Sequence, residues 1–181
     1  MRWWSNLIGS VAILAVISGF SLGLPAIDHA LPDDRALPPG IRVTVGNGVT
    51  VLPPGGAYRD TAQSSPKDGR LVLELSGVRY ALRAYPYLGS TRKAAHRLRS
   101  RIAAQPDYQL SGELRTVETR DGVSGLAGRF SSPRHDGYFA VFVHSGRVVE
   151  VVAQGSGLAL ASALPAIRDS VATIRFEVPS A

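Results

Sequence analysis

Residues 138–154 read YFAVFVHSGRVVEVVAQ. Two runs rich in β-branched and aromatic residues, 138–144 and 147–154, flank Ser145-Gly146. Such runs favour strands, and a two-residue link containing glycine joins them as an antiparallel hairpin. Both strands are apolar on both faces, so the pair belongs in the middle of a sheet, with helices covering one side. The rest of the chain is read outward from this hairpin.

Upstream, residues 113–119 (ELRTVET) and 123–131 (with Leu126, Ala127 and Phe130) are strand-like. Asp121-Gly122 and the stretch PRHDG at 133–137 supply the turns of a meander. Before it, residues 90–104 carry Ala95, Leu98 and Ile102 on one helical stripe, with Ser90 or Thr91 as N-cap and Pro106 as stop. The remainder of that helix is cationic: Arg92, Lys93, Arg97, Arg99 and Arg101, with His96 and no acid between Ser90 and Pro106. Residues 70–76 (RLVLELS) alternate, and residues 78–87 (VRYALRAYPY) set Val78, Tyr80, Leu82 and Ala84 against Arg79, Arg83, Tyr85 and Tyr87. Residues 41–52 (IRVTVGNGVTVL) form a hairpin about Gly46-Asn47-Gly48. Residues 57–62 are a short irregular strand, and 66–69 a turn. Downstream, Gly155-Ser156-Gly157 is a flexible loop before a helix over 162–173 with Pro165 in its first turn. Leu160, Leu164, Ile167, Val171 and Ile174 form its buried stripe, and 174–178 a short edge strand. The class is α+β: an antiparallel β-sheet with flanking helices.

The N-terminal run LIGSVAILAVISGFSLGL, residues 7–24, has no charge. At about 1.5 Å per residue it approaches the roughly 30 Å hydrocarbon core of a bilayer. Trp3 and Trp4 suit the headgroup layer. Arg2 lies before the run and Asp28, Asp33 and Asp34 after it, so the positive-inside rule sets residues 1–6 in the cytoplasm and the domain outside. We read one transmembrane helix in the plasma membrane; Gly19 and Gly23 have the spacing of a helix-pairing motif. The rival is a signal peptide whose cleavage releases a secreted domain. The apolar core exceeds the usual signal length of about 7–15 residues, and the exit GLPAIDHA offers a poor cleavage site. Residues 25–40, with Pro25, Pro32, Pro38 and Pro39, are a semi-rigid linker, and 41–178 the domain.

The order of these elements, with the phrases GIRVTVGNGVTVLPPGGAY, GLAGRF, YFAVFVHSGRVVEVVAQG and SVATIRFE, resembles the Mog1/PsbP-like α/β/α sandwich. It is closest in style to the membrane-anchored envelope members of high-GC bacteria. Arginine in place of lysine everywhere except Lys67 and Lys93, with abundant Ala, Gly and Val, suits such a genome. The resemblance implies a non-enzymatic accessory, assembly or binding factor; some envelope members associate with lipid-export machinery. It supplies no motif from which a functional residue can be carried over, and Gly56 and Ala57 precede Tyr58 where family members place an aromatic.

The chain has no cysteine, which excludes thiol chemistry and cysteine-held metals. His29, His96, His135 and His144 lack metal-ligand spacing. Ser64-Ser65-Pro66-Lys67 matches SxxK in letters but lies in a proline loop, where that motif needs a helix start. No dinucleotide or phosphate-loop fingerprint is present, so no cofactor is expected, and the acids, Glu150 among them, are scattered without a paired arrangement.

The net charge of +6 favours anionic partners; nucleic acid is excluded by the expected placement. Arg92, Lys93, Arg97, Arg99 and Arg101 are candidate contacts to an anionic partner or membrane surface, and otherwise a solvated helix face with some pairs to acids elsewhere. Tyr80, Tyr85 and Tyr87, near Tyr138 and Phe139, are a candidate ligand groove, and otherwise ordinary sheet packing. The expected function is a membrane-anchored, extracytoplasmic accessory module for envelope assembly or transport. It meets membrane proteins of those processes or anionic lipid. The alternatives are a carrier of lipid or a small ligand in a groove between sheet and helix, and an envelope hydrolase.

Overall fold

In a computed structural model the described residues are 36–177. The elements run β1 (Val43–Gly46), β2 (Val49–Val51), β3 (Tyr58–Arg59), a 3-10 turn (Pro66–Asp68), β4 (Arg70–Leu75), β5 (Val78–Pro86), α1 (Thr91–Ala103), β6 (Gln109–Glu118), β7 (Ser124–Ser131), β8 (Asp136–His144), β9 (Arg147–Gly155), α2 (Gly157–Ala172) and β10 (Arg175–Phe176). The run at 7–24, Gly19, Gly23 and the linker up to residue 35 lie outside the described residues. Among the described residues no helix is long and apolar enough to cross a membrane.

Strands β8 and β9 form the expected hairpin, with Ala140 opposite Val151 and Val143 opposite Val148. Ser145 and Gly146 both take positive φ, 48° and 71°, which two-residue hairpins need to match the strand twist. Asn47-Gly48 and Ser76-Gly77 do the same in the β1–β2 and β4–β5 hairpins. The main sheet is antiparallel throughout, in the order β3-β4-β5-β9-β8-β7-β6. After β5 the chain crosses one face as α1, starts again at the far edge as β6, and returns strand by strand until β9 pairs with β5.

The local pattern placed helices on one side, but α1 and α2 lie on opposite faces, because both faces of the central strands are apolar. Tyr138, Ala140, Phe142, Val149, Val151 and Ala153 face α2. Phe139, Val141 and Val148 face α1, where they meet Ala94, Ala95, Leu98 and Ile102. This is the α/β/α sandwich implied by the resemblance. A small sheet, β1-β2-β10, lies on the α2 side and adds Val45, Val49 and Val51 to that core.

Helix α2 begins five residues before the expected 162, because Ser156 leaves the strand in an extended conformation and its Oγ accepts from Ala159 N at 3.3 Å. The expected flexible loop at 155–157 is therefore reduced to that cap. Pro165 is consequently inside the helix and not in its first turn. Both Pro165 and Ala161, whose carbonyl loses its partner, are exposed, so water can satisfy that carbonyl. Residues 113–119 extend into the longer β6, with a bulge between Ser111 and Arg115 at Gly112, φ 70°. Strand β10 joins β2, Arg175 opposite Thr50, and not the main sheet. Leu37 N donates to Ala57 O at 2.9 Å, so the last part of the expected linker is bound to the domain.

Gly69 ends the 3-10 turn at φ 67°, where a Cβ would stand 1.9 Å from the Ala84 carbonyl oxygen. Backbone lies on both sides of that clash, so it cannot relax by a rotamer change. Gly69→Ala should lower stability by about 3 kcal/mol in urea denaturation; a midpoint unchanged from the parent would refute this close approach.

Candidate functional site

Glu150 stands in the middle of β9, 4% exposed, between Val149 and Val151. A carboxylate there needs partners, since burying it bare costs several kcal/mol. Arg101 of α1 forms an ion pair with its Oε2, and Tyr85 of β5 donates to its Oε1 at 2.7 Å. Arg97, one turn before Arg101, donates to the Tyr85 hydroxyl at 2.7 Å. Its guanidinium lies 4.8 Å from the Tyr87 ring centroid and 5.6 Å from that of Tyr85. Arg83, opposite Glu150 across the β5–β9 pairing, lies 5.5 Å from the Tyr85 ring. Burial, then the bond to Glu150 and its charge, raise the Tyr85 phenol above its ordinary value, which keeps it a neutral donor.

The five cations of the basic helix therefore divide. Arg97 and Arg101 fasten α1 to the sheet. Arg92 and Lys93 are exposed and Arg99 is half-buried; among the described residues none of the three has a carboxylate partner. Ser90 caps the helix, accepting from Lys93 N at 3.3 Å. Leu88, just before the cap, is 98% exposed.

The expected groove of Tyr80, Tyr85 and Tyr87 does not form. Alternation along β5 sends Tyr80 to the α2 face and Tyr85 to the α1 face. Tyr80 is fully buried, its hydroxyl 3.3 Å from Ser170 Oγ, and Ser170 donates onward to Leu52 O at 2.6 Å. Burial raises the Tyr80 phenol well above its ordinary value, opposed by the bond to Ser170. His96, His135 and His144 are exposed and scattered, and among the described residues no three His, Cys, Asp or Glu could hold a metal; His29 lies outside them. Ser64 Oγ accepts from Val72 N at 3.0 Å, and Ser65 donates to Asp68 at 2.7 Å, so neither serine of the SxxK letters is paired with Lys67.

A hollow of about 670 Å³ opens between α2 and strands β6 and β7. Arg115, Arg129, Tyr138 and Arg168 line it, together with Glu113 and Glu118. The Arg168 guanidinium lies 5.7 Å from the Tyr138 ring centroid. Burial raises the Tyr138 phenol, with the Arg168 charge opposing. The sequence reading missed this hollow because its arginines are spread over residues 115–168 and meet only through strand register. It also passed over Glu150, although a lone acid inside RVVEVVAQ is itself a signal that a cation must reach it.

No protein-family model matches the chain, and no curated protein does. Among solved structures, the solution structure of cyanobacterial PsbP (CyanoP) from Synechocystis aligns with a TM-score of 0.51 at 12% identity. The alignment covers 71% of this chain and 86% of that one. A protein of Bacteroides thetaiotaomicron aligns at 0.44 and 9% identity, over 77% of this chain and 49% of its own. The fold is PsbP-like.

Arg101→Ala leaves Glu150 with Tyr85 alone. The expected loss is about 2–3 kcal/mol, less than for a fully buried pair because Arg101 is 45% exposed. Glu150→Leu combined with Arg101→Leu should recover most of it, and a double variant no more stable than Arg101→Ala would contradict the role of the buried charge. The phenols of Tyr80, Tyr85 and Tyr138 are all raised. Their contribution is full below the ordinary phenol value of about 10 and is lost as pH rises past it, because the unfolded chain then releases protons the folded one keeps. Tyr80→Phe should flatten this alkaline fall, at a cost of about 1 kcal/mol at neutral pH for the missing hydrogen bond; urea midpoints across pH 8–11 with parallel slopes would rule it out.

Proposed function

We propose that the chain is a non-enzymatic accessory module of the cell envelope, held at the plasma membrane by residues 7–24 with the domain outside, where it docks through α1 on anionic lipid headgroups beside the transport or assembly components it serves. The carrying observation is the outward face of α1. Arg92, Lys93 and Arg99 stand there without a carboxylate partner among the described residues, and no acid occurs between Ser90 and Pro106. Basic residues near an anionic bilayer contribute about 1 kcal/mol each. Leu88, bare at the foot of the same helix, suits the boundary below the headgroups. The uncharged run at 7–24, with Arg2 before it and Asp28, Asp33 and Asp34 after it, supports this placement.

The division of the cations decides the test. A variant carrying Arg92→Glu, Lys93→Glu and Arg99→Glu spares the bonds of Arg97 and Arg101. Residues 35–181 should sediment with phosphatidylglycerol vesicles at low salt and not with phosphatidylcholine vesicles, and the triple variant should lose this binding with its unfolding midpoint unchanged. Binding that ignores both salt and the three reversals would dismiss lipid docking; binding of the wild type to an acidic envelope protein alone would replace lipid with protein as the partner.

A further inference from the structure

On the face opposite α1, helix α2 packs over β9, β5 and β8, and a hollow opens between it and the outer strands β6 and β7. The strand register arranges its lining. Ser111 is paired with Arg129, and Arg129 with Tyr138, so one row crosses β6, β7 and β8. Arg115 is paired with Ala127 in a neighbouring row, about 7 Å along β7, two residues at the strand rise. Arg168 descends from α2 over the Tyr138 ring and forms the opposite wall. Three guanidiniums from three separate elements thus line one hollow of about 670 Å³, with Val117, Ala127 and Val171 as apolar lining. Among the described residues none of the three makes an ion pair, although Glu113 and Glu118 also line the hollow.

Three guanidiniums against two carboxylates leave the recess with an excess of positive charge, and no ion pair among them ties the guanidiniums up, so they are available to an anion. A guanidinium fork matches the two oxygens of a carboxylate. The apolar lining and the Tyr138 ring fit the body of such a molecule, and the volume is within the roughly 300–1,000 Å³ usual for small-ligand sites. We propose that this hollow binds a carboxylate carried on a short apolar body, its oxygens held between Arg129 and Arg168 and its body laid against Tyr138, Val117 and Val171. The site goes beyond the docking of α1 and does not depend on it, since the two surfaces share no residue.

The test uses the full chain in phospholipid nanodiscs, titrated with 3-phenylpropionate, decanoate and the neutral 3-phenylpropanamide, with empty nanodiscs as blank. Both acids should bind saturably, and the amide at least tenfold more weakly. Tighter binding of decanoate would identify a lipid-derived acid and tighter binding of 3-phenylpropionate a free one; either upholds the site. Arg168→Ala and Arg129→Ala should each weaken acid binding about tenfold, Arg129→Lys by less, and Arg92→Ala not at all. Arg168 is exposed on α2, so its variant keeps the test valid if the strand variant fails to fold. Equal affinity for acid and amide, unchanged binding in Arg168→Ala, or no saturable binding of either acid would each overturn the proposal.

Discussion

A buried carboxylate in the central strand of the sheet, flanked by Val149 and Val151, constrains what packs on that face. Glu150 has almost no contact with solvent, so its charge is balanced by what the neighbouring elements bring: a guanidinium from α1 and a phenol from β5. Meeting that requirement sets the rotation of α1 on the sheet. Ala94, Ala95, Leu98 and Ile102 give the helix an apolar stripe, which alone tolerates some sliding. Arg101 on Glu150 and Arg97 over Tyr85 and Tyr87 pin it at one register.

The same constraint sorts the surface. Because two of the five cations are used inward, the outward charge of α1 comes from Arg92, Lys93 and Arg99, with His96 beside them. A strongly basic helix in the sequence becomes a two-sided object, one side structural and the other open to an anionic surface. Among the described residues the other helix is held without an ion pair, by hydrogen bonds at its C-terminal end. Leu52 N donates to Thr173 Oγ1 at 2.9 Å and Leu52 O accepts from Ser170 Oγ, so the end of α2 replaces a strand neighbour for the small sheet. Arg42 donates to the Thr173 carbonyl at 3.1 Å, and Arg147 reaches Asn47 O and Glu177 O at 3.0 and 2.8 Å. The arginine-lined hollow opens beside this same end of α2, where Val171 and Ala172 line it with Val117 of β6 and Arg120 N donates to Ala172 O at 2.7 Å.

Local pattern was enough for the elements themselves. Alternating Leu71, Leu73 and Leu75, the glycine-bearing turns and the Ala95-Leu98-Ile102 stripe each report on residues a few positions away, and strand or helix follows from that spacing alone. The two-sided apolar character of 138–154 was likewise sufficient to put β8 and β9 at the centre of an antiparallel sheet. The start of α2 was misplaced because Pro165 reads as a first-turn residue, while the cap that opens the helix is a single serine nine residues earlier. The tyrosine groove was misplaced because residues 80, 85 and 87 are close in the chain yet straddle a strand, and alternation puts odd and even positions on opposite sides of a sheet.

By itself, then, the sequence determined the class of fold, the antiparallel core, the cationic helix, the charge asymmetry around residues 7–24 and the exclusion of thiol chemistry. Those are properties of composition, period and short-range order. Only the tertiary structure decided which arginines are spent on Glu150 and that Arg115, Arg129 and Arg168 share one hollow with Tyr138. Each depends on strand register or on the path of a helix across the sheet, and a register pairs residues such as Arg83 and Glu150 across a distance that no local pattern spans.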